Sequence, residues 1–128
     1  MKFGYTIAYV ADVTATIEFW ERAFGLTRRF VADPPSYGEL ETGGTTLSFA
    51  QDELAASNLP EPYRPNRSGE AAAGFEVGLL TDDVPAAYEQ AVAAGATAWA
   101  PPKTKPWGQV VAYVRDLNGI LVEICTPM

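Results

Sequence analysis

Glu123 is the residue that asks most of its surroundings. It lies midway along the apolar run Ile120–Thr126, where alternation turns Leu121, Glu123 and Cys125 one way and Val122 and Ile124 the other. A carboxylate among apolar neighbours is costly unless something uses its charge. Three uses are open: a hard cation held with waters, with Glu as the general base of an isomerase or lyase; a cationic or hydrogen-bonding ligand held without metal; or a structural carboxylate paired with an arginine or kept protonated. The chain has no histidine. That removes the commonest transition-metal ligand and excludes Ser-His and Cys-His nucleophilic schemes. Carboxylates alone favour Mg, Ca or Mn over Zn or Cu. Cys125, on the face of Glu123 with no imidazole to activate it, reads as a small buried hydrophobe.

Aromatic residues add a second kind of chemistry. Trp107 sits between Pro106 and Gly108, in a loop before the last hairpin. An indole there either stacks on a planar ligand or cation, or packs on the neighbouring loop. Trp20, at helical spacing with Ile17 and Phe24, reads as core. Tyr5, Tyr9, Tyr37 and Tyr113 fall on strand faces that can form aromatic walls. Such walls suit a flat, partly apolar molecule.

Regular elements position these residues. Phe3–Val10 alternates as a strand, with Tyr5, Ile7 and Tyr9 on one face. Asp12 then caps a helix carrying Val13, Ile17, Trp20 and Phe24, and Gly25 ends it. Leu26–Val31 is a strand, and Tyr37–Glu41 with Thr45–Ala50 a hairpin. From Gln51 to Ala73 the composition changes: Pro60, Pro62 and Pro65 break any regular element, leaving an arm with one helical turn at Asp52–Ser57. Arg64 and Arg67 lie on it, as solvated charges or on an arm folded over a pocket.

The pattern then repeats. Phe75–Leu80 is a strand, Asp83 caps a helix with Pro85 in its first turn, and that helix ends at Gly95. Thr97–Ala100 is a strand, Pro101–Pro106 a polar break, and Gln109–Val114 with Ile120–Thr126 a hairpin around Asp116-Leu117-Asn118-Gly119. Aligning the halves puts Tyr5 on Glu76, Asp12 on Asp83 and Ser48 opposite Glu123. This is an internal duplication. It gives an α+β chain of one two-module domain, with module one at 1–52, the arm at 53–73 and module two at 74–128.

Composition bounds the function. At 128 residues with a net charge of -7, the chain is large enough for a core and too acidic to bind nucleic acid through phosphates. The acidity favours cationic ligands or serves solubility. A single cysteine rules out an intramolecular disulfide and fits a reducing compartment. The start, MKFGYTIAYVADV, is neither a secretory signal nor a membrane span, so a cytoplasmic protein without membrane contact is expected.

The paired βαβββ pattern, the Asp-capped helices and the terminal DLNGILVEICTP resemble the vicinal oxygen chelate superfamily. Its members include glyoxalase I, extradiol dioxygenases and bleomycin-sequestering proteins. The resemblance implies two tandem βαβββ modules with curled mixed sheets, and a homodimer with ligands between modules of different subunits. In metal-dependent members four positions converge, on the first and last strands of each module; here they carry Tyr5, Ser48, Glu76 and Glu123. Only the two glutamates keep the family's donor chemistry, so no transition metal or other cofactor is expected. A divalent metal, if held, falls to Glu76 and Glu123. Ile17-Glu18-Phe19-Trp20 with the following Gly25-Leu26-Thr27-Arg28, and Pro106-Trp107-Gly108, are similar to the bleomycin-sequestering proteins, in which the Trp lines the drug groove. The expectation is therefore a binding protein that sequesters a planar or cationic organic ligand, with Trp107, Tyr5, Tyr9, Tyr37, Ser48, Glu76, Tyr113 and Glu123 at its site. The alternative is a metal-dependent lyase, isomerase or dioxygenase using Glu76 and Glu123, with Glu123 catalytic. A non-catalytic module of a larger assembly is the third reading.

Overall fold

The computed structural model describes every residue, Met1–Met128. The chain divides into two units, Met1–Glu21 with Gly25–Pro65, and Arg22–Phe24 with Asn66–Met128.

Unit 1 runs β1 (Tyr5–Val10), α1 (Val13–Phe24), β2 (Thr27–Val31), β3 (Tyr37–Glu41), β4 (Thr46–Gln51) and α2 (Asp52–Asn58), the last turn of α1 falling in unit 2. Its sheet is ordered β1-β4-β3-β2, with β1 parallel to β4 and the other pairs antiparallel. The Asp12 carboxylate caps α1 by accepting from the Ala15 N–H at 3.0 Å. Gly25 ends the helix with φ 67°, a conformation that favours glycine. Val13, Ile17 and Trp20 are all buried, as are Leu40 and Phe49 on the sheet. The Trp20 and Phe49 rings meet at 5.5 Å between centroids. Gly38 lets β3 pass close to the helix, since a β-carbon there would lie 3.1 Å from Val13.

Unit 2 repeats the order: β5 (Glu76–Leu80), α3 (Val84–Ala93), β6 (Thr97–Thr104), β7 (Val110–Arg115) and β8 (Leu121–Cys125), arranged β5-β8-β7-β6. The duplication extends to register. Tyr5 pairs with Thr46 and Ile7 with Ser48, as Glu76 pairs with Leu121 and Gly78 with Glu123. Asp83 caps α3 by accepting from the Ala86 N–H at 3.1 Å. In the β7–β8 turn the buried Asp116 carboxylate accepts from the Asn118 and Ile120 N–H groups at 2.8 and 2.9 Å. This Asx-type bonding ties the hairpin to one register.

Two elements are longer than the sequence suggests. The single turn expected at Asp52–Ser57 is the seven-residue α2. β6 continues to Thr104 through Pro101 and Pro102, which read as a break. It is an edge strand, and its pairing with β7 skips from Ala100–Tyr113 to Lys103–Val111. The prolines thus sit at an irregularity where no ladder N–H is needed. No helix is long and apolar enough to cross a membrane.

Candidate functional site

Register on β8 assembles the acidic cluster of unit 2. Glu123 pairs with Tyr113 on β7 and with Gly78 on β5. A β-carbon at Gly78 would meet nothing within 4 Å, so the sheet is open there. Glu76, two residues earlier on β5, lies on the same face as Glu123, near enough for hydrogen bonding between the carboxyls to shift the titration of both. Two carboxyls bond only through a proton, and their titration splits accordingly. The bond from Glu123, then burial and the neighbouring charge, push Glu76 above the ordinary carboxylate range. Burial alone would push Glu123 up as well, but hydrogen bonds from Glu76, Cys125 and Tyr113, with the Lys105 charge, hold it below.

The groups around the pair stay protonated at neutral pH. The Tyr113 hydroxyl donates to Glu123 Oε2 at 3.1 Å, and burial with that bond pushes the phenol up to about 12. Burial and Glu123 push the Cys125 thiol up to about 11, so it is no nucleophile. Trp99 stands edge-on to Tyr113, centroids 6.2 Å apart at 87°. One face of this sheet therefore carries a pair of interacting carboxyls, a phenol and an indole.

This donor set suits a transition metal poorly. The phenol and thiol are neutral, only two carboxyls remain as donors, and no group of three or more His, Cys, Asp or Glu is placed to hold an ion.

Trp107 lies outside this cluster, on the loop before β7. It is 65% exposed, and its Nε1 donates to Gln109 Oε1 at 2.9 Å. Gln109 in turn donates to the Thr126 carbonyl at 2.8 Å, which holds the loop against the chain end.

Unit 1 treats the equivalent positions differently. Ser48 is fully buried between Ile7 and Glu39 in the register. Glu39, also buried, accepts from the Tyr37 hydroxyl at 2.8 Å and from Arg29 Nη1 at 3.1 Å. Arg29 reaches Glu41 as well, through bonds of 2.9 and 2.8 Å. Burial and the bond to Glu39 raise the Tyr37 phenol. Thus unit 1 neutralises its mid-sheet acid internally, whereas unit 2 leaves its pair facing outward. Tyr5 is exposed on β1, and the Tyr9 ring packs on Tyr63 at 4.9 Å.

The arginine partner considered for the glutamates is absent: ion pairs form at Arg28–Glu21, Arg29–Glu39 and Arg29–Glu41. Glu39 carries the mid-strand signal that marks Glu123, a lone carboxylate between Gly38 and Leu40. Trp99 carried only the weaker signal of a large aromatic between alanines.

A family model described as the Glyoxalase/Bleomycin resistance protein/Dioxygenase superfamily matches residues 2–124. No curated protein matches the chain. Among solved structures it is similar to a glyoxalase-related enzyme from Fulvimarina pelagi, at 19% identity and TM-score 0.85, over 99% of this chain and 88% of that one. It is also similar to TioX from Micromonospora sp. ML1, at 24% identity and TM-score 0.73, over the full length of both. A family enzyme from Burkholderia phytofirmans PsJN matches at 18% identity and TM-score 0.73, again over both full lengths. At these identities the likeness to solved structures is one of fold, and that fold is α+β with two mixed sheets.

Proposed function

The chain belongs to the Glyoxalase/Bleomycin resistance protein/Dioxygenase superfamily, and from that membership we propose that it binds and sequesters a planar organic cation without a transition metal. The observation that supports this reading most is the Glu76–Glu123 pair on the open face of unit 2, beside Tyr113 and Trp99. A cation gains from both the carboxylates and the ring quadrupoles, and a flat body gains from stacking. Trp107, exposed on its loop, is proposed as a further stacking surface. Within unit 1 taken by itself, Tyr5, Tyr9 and Tyr37 are proposed as ligand contacts, whereas Ser48 is fully buried. Capture of an antibiotic-like cation in the cytoplasm is the corresponding role.

N-Methylacridinium, a permanent planar cation, tests the reading by calorimetry. It should bind equally with and without EDTA, and Trp107→Ala should weaken it by about 1 kcal/mol. Loss of binding in EDTA would overturn the metal-free reading, and unchanged affinity in the variant would remove Trp107 from the site.

The opposed shifts of Glu76 and Glu123 also fit an acid–base pair. Turnover of a hemithioacetal, epoxide or catechol with a divalent metal, abolished by Glu123→Gln, would put the catalytic alternative first.

We further propose a homodimer. Phe3, Tyr5 and Ile7 are exposed in unit 1, and Phe75, Leu80 and Trp99 in unit 2. Large apolar side chains this exposed are the candidates to be covered by a second copy. Sedimentation should give twice the 13.8 kDa chain mass; a monomer at all concentrations would sink the dimer.

A further inference from the structure

Unit 1 also carries a groove between α2 and the start of the arm, with a volume of about 510 Å³. Its walls are largely apolar, from Leu59, Pro60, Pro62 and Tyr63. Three carboxylates, Asp52, Glu53 and Glu61, also line it, and no lysine or arginine does. The size is that of a drug-like ligand site.

The groove is built by the fold. The Tyr63 hydroxyl donates to Asp52 Oδ1 at 2.6 Å, and its ring rests on Tyr9. The arm is thereby folded back on the helix that precedes it. Pro60, Pro62 and Pro65 fix three backbone angles in a short span. A wall so restrained loses little conformational freedom when something binds. Glu53 and Glu61 are exposed, so their charges face whatever enters.

We infer that this groove is a second ligand site, taking an organic cation with a bulky apolar body. Charge complementarity selects the occupant. The exposed Glu53 and Glu61 repel anions, and the apolar walls give a small hydrated metal ion nothing that water does not. A cation with an apolar body gains from both. This site does not depend on the sheet-face reading, because it uses none of the residues of the unit 2 cluster.

Tetraphenylphosphonium and tetraphenylborate test it, being nearly the same shape with opposite charge. Backbone amide shifts and calorimetry on the whole chain are the readouts. The phosphonium should shift amides across residues 52–65, and bind more weakly as ionic strength rises. The borate should leave those amides unmoved. The double variant Glu53→Gln/Glu61→Gln, at exposed positions that do not threaten the fold, should weaken phosphonium binding at these amides about tenfold. Glu123→Gln should not change it, which separates this groove from the sheet-face site. Equal shifts with the borate, no shift in 52–65, or full affinity in the double variant would each overturn the inference.

Discussion

A Glu123→Gln variant is expected to bind N-methylacridinium about tenfold to a hundredfold more weakly than the parent, the equivalent of a lost charged interaction of about 1.5–3 kcal/mol. Glu123 is the member of the pair held below the ordinary carboxylate range, so it is the first of the two to carry charge as pH rises. The amide keeps the shape and removes that charge. Binding should also depend on pH with a definite sign. Below the raised pKa of Glu76 the pair holds one proton and one charge; as pH rises through it, the second charge appears and cation affinity climbs.

Stability responds in the opposite direction. Because the folded-state pKa of Glu76 lies above its unfolded value, the folded chain keeps that proton longer, and its contribution is lost as pH rises through the folded value. Glu123, depressed on folding, contributes above the ordinary carboxylate range and loses this as pH falls through its lower folded value. Glu76→Gln retains a donor toward Glu123 and cannot ionise. It should therefore melt higher than the parent above the raised Glu76 pKa, while binding the cation less well. Unchanged binding in both variants would remove the carboxyl pair from the ligand site. A Glu76→Gln chain less stable than the parent there would show that the pair is not repulsive.

Trp20→Ala is expected to cost about 3–5 kcal/mol in urea unfolding. The indole is fully buried against Phe49, and its removal leaves a cavity at the centre of the packing between α1 and its sheet. A loss of that size approaches the whole stability of many small domains. Trp107→Ala is the internal control, since Trp107 is 65% exposed on its loop and its loss should change stability by only about 0.5 kcal/mol. Comparable losses at both tryptophans would mean that the burial contrast between them does not hold in solution.

Much of the fold is legible from short-range rules. Asp12, Gly25 and Asp83 mark helix ends because capping and positive φ are local requirements, and each works where its spacing puts it. The terminal hairpin follows from Asp116 and Gly119 for the same reason. The β6 prolines mislead because a strand tolerates them only at an edge or irregularity, and edge position is a property of the whole sheet.

The site divides along the same line. Residue order alone marks Glu123 as out of place, matches Glu76 to Tyr5 through the duplication, and leaves Trp107 in a loop. It does not say what each acid meets, because partners on other strands are set by sheet register. Only the folded sheets place Tyr113 and Glu76 around Glu123, bring Arg29 to Glu39, and return Tyr63 to Asp52. Two similar mid-strand carboxylates thus end differently, one neutralised by an arginine and one set beside a second carboxyl, since charge compensation depends on neighbours far away in the chain.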